Sequence, residues 1–311
     1  DINNISKLSL GCASFGNHNA YGCVTQDIAN SLVYTSFYSC NINYFDTSPY
    51  YGNSETVLGK SLSFIPREYY FIGTKVGRYM NDKTDFSLET IKNSIETSLK
   101  NLNTSYIDIV QCHDVEFGNI EQIINEALPY LQTLKDKKII RYIGITGLSL
   151  PVLDYIVTRS SIKIDTILTY CNYSLHCNLL NDYINKWLEL NIKIIQGGCT
   201  SMGLLTNNGP PDWHPANNEL KDKCTDIISM CKNQNENITK IAFQQIYNNK
   251  NLSLILVGPI TVYELQDYYN WRFNKLNINL QQQIIDLFEK FHKYIWIEPN
   301  TENNIKLCYN N

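Results

Sequence analysis

Four polar residues stand at the ends of short β-rich runs: Asp46 closes YFD, Lys75 closes YFIGTK, His113 closes IDIVQCH and Thr146 closes IIRYIGIT. Taken singly, each has an ordinary use, as a helix cap, a solvated charge or a hydrogen-bonded core residue. With a tyrosine, the first three make the set that carbonyl reduction needs. A phenol with a pKa near ~10 is a weak proton donor on its own. An ammonium about 4 Å away, at an effective dielectric near 20, favours phenolate by roughly 4 kcal/mol and is expected to lower that pKa by up to about three units. A buried carboxylate keeps the ammonium charged and oriented, and a neutral imidazole polarises the carbonyl oxygen.

The elements that must position these groups recur along the chain. Eight β-rich runs are expected at Leu8–Gly11, Tyr44–Asp46, Tyr70–Lys75, Ile107–His113, Ile139–Thr146, Ile164–Tyr170, Ile192–Gly197 and Leu254–Gly258. Apolar residues at helical spacing lie between them, as in Leu88, Ile91, Ile95, Leu99 and Leu102. Strict alternation implies parallel strands with right-handed crossovers. Eight units predict a single-domain (β/α)8 TIM barrel over residues 1–311, with a doubly wound open sheet as the alternative. The barrel is favoured because the polar residues end their runs, and those ends converge on one face. No Gly-x-Gly-x-x-Gly turn follows a strand, which argues against a Rossmann-type site. Asn207–Ala216, NNGPPDWHPA, reads as a substrate lid, Asn279–Tyr294 as an amphipathic helix, and Asn300–Asn311 as a polar, mobile tail.

A net charge of −4 gives no field for holding polyanions, so nucleic acid is not an expected partner. The ten cysteines, from Cys12 to Cys308, show no CxxC pair, which suggests buried thiols in a reducing compartment. No apolar run reaches the roughly 20 residues of a membrane span, and DINNISKLSL has no signal-peptide core. A cytoplasmic protein is expected. A targeting extension stays open, because the chain starts at Asp1 without Met.

Asn43–Leu62, NYFDTSPYYGNSETVLGKSL, resembles the signature of the aldo-keto reductase family, in which the catalytic tyrosine lies five residues after the aspartate. That spacing selects Tyr51 over Tyr50 as partner of Asp46. FIGTKVGR and DIVQCHD place Lys75 and His113 as the family pattern requires. FDTSPYYG, CHDVEFG, GITGLSL and MGLLTNNGPPDWHPA are most similar to the plant-type L-galactose dehydrogenase branch. The resemblance covers nearly the whole chain. It implies an NAD(P)-dependent oxidoreductase moving hydride between a nicotinamide and a sugar or other small carbonyl or alcohol.

The resemblance also implies a cofactor site built from Cys12, Thr146, Gly147, Tyr170, Gly197, Gly198, Cys199, Thr200, Met202, Gly258, Ile260, Glu264 and Tyr268. The family usually has Ser-Asn at the carboxamide, so Thr146 keeps a hydroxyl while Gly147 lacks the amide. Tyr170 replaces a common glutamine, and Gly197 a common tyrosine; Gly197 and Gly198 serve either the cofactor or a tight turn. Ile260 stands where relatives using NADP carry a basic residue. Glu264 either meets ribose hydroxyls or is a charge in the first turn of a helix, favoured by the dipole, and Tyr268 replaces an asparagine that commonly contacts adenine, with stacking as its alternative. These positions favour NAD over NADP. Trp213 and His214 either stack on a sugar or pin the loop.

A second reading is a nicotinamide-sensing regulatory module of the same fold with little turnover, suggested by Gly147, Gly197 and Tyr268. A hydrolase or metal enzyme has little support: no Gly-x-Ser-x-Gly elbow occurs, and His18, His113, His176, His214 and His292 lack metal-ligand spacing. The sequence leaves oligomeric state, substrate and direction of reaction open.

Overall fold

The computed structural model describes residues 1–17 and 22–309, excepting the side chain of residue 309. His18 lies outside the described residues. Eight parallel strands close into a barrel: β1 (Leu8–Gly11), β2 (Tyr44–Asp46), β3 (Phe71–Val76), β4 (Ile107–Cys112), β5 (Ile140–Gly147), β6 (Thr166–Tyr170), β7 (Lys193–Gly197) and β8 (Leu254–Val257). Each pairs with its neighbours in sequence, and β8 returns to β1. The expected (β/α)8 barrel is the observed fold.

The strands are apolar on both sides because each has two faces to bury. Tyr44, Phe71, Ile109, Leu168, Ile195, Leu254 and Leu256 fill the barrel interior. A larger cluster, including Leu10, Phe45, Ile72, Val110 and Ile143, packs outward against the helices. Register sets Asp46 level with Gly73 and Lys75 level with Gln111, which brings the polar strand ends together. Near the opposite end, Asp108 is fully buried and ties β4 to Arg67 at 2.6 Å and Arg141 at 2.9 Å.

Asparagine explains how a chain with few glycines makes its turns. Asn41, Asn81, Asn103, Asn191, Asn235 and Asn300 adopt left-handed backbone conformations, which asparagine tolerates better than most residues. Asn119, Asn217, Asn237 and Asn277 accept backbone N–H groups at helix starts.

Three features differ from what the sequence leads one to expect. Within the tail, read as polar and mobile, Glu302–Tyr309 is a helix. Ile305 and Cys308 pack on the core, and Asn304 donates to the carbonyls of Glu116 and Gly118 at 2.8 Å each. The single helix expected at 279–294 ends earlier, as Ile278–Leu287 followed by a turn at Glu289–Phe291. A short hairpin, Arg78–Tyr79 with Lys83–Thr84, was not anticipated and projects beside the site.

All ten cysteines are unpaired thiols, eight of them buried, as small apolar side chains would be. Among the described residues no helix is long and apolar enough to cross a membrane.

Candidate active site

A cavity of about 320 Å³ opens at the C-terminal ends of the strands, lined among others by Asp46, Tyr51, Lys75 and His113. Lys75 is fully enclosed; its ammonium donates to Asp46 Oδ1 and, at 2.9 Å, to the carbonyl of Thr47. The second oxygen of Asp46 accepts from Tyr44 Oη and from Gln111 Nε2, each at 3.0 Å. The buried carboxylate is thus bonded on both oxygens, the condition under which a charge is tolerated in a barrel interior. Burial pulls the Lys75 ammonium down, but Asp46 and the Tyr51 phenol more than offset it and hold it above the ordinary lysine value. Lys75 stays charged.

Glycines make this arrangement possible. A Cβ on Gly73 would lie 2.0 Å from Tyr44 Oη and 2.9 Å from Asp46 Oδ2. One on Gly16 would lie 1.5 Å from the Tyr51 carbonyl oxygen, so the loop after β1 packs directly on the backbone that carries the phenol.

Tyr51 ends a 3-10 turn, Pro49–Tyr51, started by the Ser48 hydroxyl accepting from Tyr50 N–H. Lys75 Nζ lies 5.0 Å from its ring centre. The expectation of a phenol made more acidic is reversed: burial raises the Tyr51 pKa most, Lys75 pulls it back, and Asp46 and Asp114 add to the rise. One ammonium alone would lower the value, but desolvation and two carboxylates outweigh it. Tyr51 is therefore a neutral phenol, able to donate a proton.

His113 follows β4, its ring edge-on to both Tyr50 and Tyr51 at 5.7 and 5.8 Å. Burial pushes its pKa down to about 3, so the ring is neutral. Ser48 Oγ, already accepting from Tyr50, lies 3.0 Å from Nδ1, and Asp114 Oδ2 lies 3.5 Å from Nε2. These neighbours assign the ring proton to Nε2.

Sequence reasoning missed Tyr44, Ser48, Arg78, Gln111 and Asp114. The Gln111 signal was present, since an interior amide in an apolar strand needs a polar partner. Asp114 lies in CHDVEFG, but nothing local in the sequence announces its pairing with Arg78.

Among the expected cofactor residues, Cys12, Thr146, Tyr170, Gly197, Gly198, Cys199, Thr200, Met202, Gly258 and Tyr268 line the same cavity. Gly147, Ile260 and Glu264 do not. The Glu116 carboxyl covers Gly147, its Oε2 lying 2.3 Å from where a Cβ would stand. Thr146 Oγ1 is occupied by Asp114, accepting from its N–H at 2.9 Å and donating to Oδ1 at 3.3 Å. Glu264 caps the helix Val262–Trp271, accepting from Ile260 N–H at 2.8 Å while Thr261 Oγ1 accepts from Glu264 N–H.

Two lining glycines keep part of the cavity wall open, which suits a cofactor ring. A Cβ at Gly197 would come within 3.5 Å of Tyr170 Cβ, and one at Gly258 would meet only the Gly11 carbonyl at 3.8 Å, so bare backbone leaves open the space side chains would fill. Trp213 and His214 lie outside this cavity. His214 is buried, accepting from Ala216 N–H, donating to the Ser201 carbonyl and meeting Trp296 edge-on at 4.6 Å. The loop at 207–216 is pinned by His214 onto the C-terminal segment.

A barrel with an ammonium-backed phenol, a buried carboxylate and a neutral imidazole on one cavity defines a carbonyl oxidoreductase. The chain belongs to the aldo/keto reductase family, whose model matches residues 7–291. It is 40% identical over 268 residues to L-galactose dehydrogenase of Arabidopsis thaliana, covering 85% of this chain and 83% of that one. It is 32% identical over 254 residues to D-arabinose 1-dehydrogenase of Saccharomyces cerevisiae, covering 78% and 75%. An aldo-keto reductase structure from Bacillus halodurans shares the fold, with a TM-score of 0.75 at 23% identity over 96% of this chain and 95% of that one. Membership makes this chain an oxidoreductase that works with a nicotinamide cofactor on a small molecule.

Proposed function

We propose that this enzyme transfers hydride between a nicotinamide, NAD in preference to NADP, and C1 of a sugar, as an L-galactose dehydrogenase-like enzyme of the cytosol. The observation that carries the reading is the Tyr51 phenol set against a buried, charged Lys75 beside a neutral His113. The names and coverage of the two sugar dehydrogenases support the substrate class.

A bound nicotinamide supplies or accepts the hydride at its ring carbon. Tyr51 gives its proton to the carbonyl oxygen in reduction, or takes one from the hydroxyl in oxidation. Lys75 stabilises the phenolate that results, and Asp46 holds Lys75 in place. His113 donates from Nε2 to the reacting oxygen and fixes its orientation. The absence of any Lys or Arg from Gly258 to Tyr268, where Glu264 and Asp267 are the charged residues, supports NAD, because a 2′-phosphate would meet no cation there. Ten unpaired thiols support a reducing compartment.

The test is a kinetic panel with NAD and NADP in both directions, including L-galactose, D-arabinose and simple aldehydes. Turnover of an aldose is expected. Cofactor binding without turnover of any substrate would favour the sensor.

A further inference from the structure

The cavity wall next to His113 carries a carboxylate that the proton chemistry does not use. Asp114 lines the cavity and holds a left-handed conformation, φ 44° and ψ 62°, uncommon for a residue with a side chain although aspartate tolerates it better than most. Three bonds hold it there: its N–H donates to Thr146 Oγ1, that hydroxyl donates back to Oδ1, and Arg78 Nη1 reaches Oδ2 at 2.5 Å. Arg78 is itself fixed, stacked on Tyr50 at 4.4 Å and Phe117 at 4.0 Å and paired with Asp82. Burial opposes the charge on Asp114, but the His113 ring and Arg78 guanidinium beside it hold the carboxyl below its ordinary range.

A carboxylate offers about four acceptor positions, and Arg78 and Thr146 take one each. Oδ2 stands 3.5 Å from His113 Nε2, so a donor and a charged acceptor lie side by side. Two oxygens on adjacent carbons span a similar distance. If the oxygen on the reacting carbon accepts from Nε2, a hydroxyl on the next carbon falls within reach of Asp114.

We propose that Asp114 is a specificity-determining residue that accepts a hydrogen bond from the hydroxyl adjacent to the reacting carbon, so that the enzyme selects 2-hydroxy carbonyl compounds over analogues lacking that group. The proposal rests on the sugar-oxidoreductase reading above and adds to it the reason a sugar is taken. The unusual backbone, the double tether to Thr146 and the arginine clamp serve to hold one charged acceptor still at the substrate.

The experiment compares kcat/KM for L-galactose with its 2-deoxy analogue in oxidation, and for glyceraldehyde with 3-hydroxypropanal in reduction. The wild-type enzyme and the Asp114→Asn and Asp114→Glu variants are assayed, with melting curves and nicotinamide fluorescence confirming the fold of each variant. In Asp114→Asn, Arg78 holds the amide oxygen at the Oδ2 position and the NH2 falls on the Thr146 side, so the acceptor facing the substrate loses its charge; in Asp114→Glu the longer side chain displaces the carboxylate. The wild type is expected to favour each 2-hydroxy substrate by on the order of 10- to 100-fold. Both variants should lower that ratio roughly tenfold or more.

A wild-type ratio near one overturns the proposal whether or not the variants fold, while turnover of L-galactose in the same assay leaves the sugar reading standing. An unchanged ratio in a folded variant also overturns it, because another residue then reads the hydroxyl. Failure of the wild type on every sugar and aldehyde overturns both readings.

Discussion

The hydroxyl of Ser48 lies 3.0 Å from Nδ1 of His113 while accepting from the backbone of Tyr50. One small side chain thus starts the turn that carries Tyr51 and sets which nitrogen of His113 bears the proton. Ser48→Ala should lower kcat about tenfold with little change in cofactor affinity, and Ser48→Thr should recover part of the loss. Equal loss in both variants, or weakened cofactor binding, would point to a folding role instead.

Glycine at 73 is set by contact. A methyl there meets Tyr44 Oη at 2.0 Å, so Gly73→Ala should break the Tyr44–Asp46 bond, destabilise the fold by roughly 1–3 kcal/mol and lower kcat. Urea titration and initial rates check both. A variant with normal stability and rate would show that Asp46 does not depend on Tyr44.

Glu116 gives a pH signature. Burial first, then the charge of Asp114, raises its carboxyl from the ordinary 4.5 to about 8. The folded state keeps the proton that the unfolded chain releases above 4.5, so this group favours folding fully at low pH and loses that contribution as pH rises toward about 8. Glu116→Gln does not titrate. Its stability relative to wild type should rise with pH across that window, on the order of 1 kcal/mol per pH unit. A flat difference from pH 5 to 8 would contradict the assignment.

The fold was legible because its signals are local and repeated. Each β-run was bounded to within a residue or two, since alternation of apolar strands and helices needs no long-range information. The site was half legible. Asp46, Lys75 and His113 are strand-end residues whose types stand out, but Arg78 and Asp114 lie 36 positions apart and only the barrel brings them together. The Tyr51 pKa was misjudged because desolvation depends on packing, which the sequence does not display. The helix Glu302–Tyr309 is hard to read because the segment looks polar in sequence while Ile305 and Cys308 meet the core.

The proposed preference for NAD rests on Ile260 and the acidic residues of the helix it precedes. The wild type should prefer NADH to NADPH, and Ile260→Arg should improve kcat/KM with NADPH by about tenfold. Equal use of both cofactors by the wild type would remove the argument.

Everything in the proton chemistry converges on one phenol. The most direct test is Tyr51→Phe, assayed for kcat and for nicotinamide affinity by fluorescence on the same preparation. The expected result is a fall in kcat of at least 10²- to 10⁴-fold with the cofactor Kd within about twofold of wild type. A variant that keeps substantial turnover would contradict the assignment of Tyr51 as the acid/base.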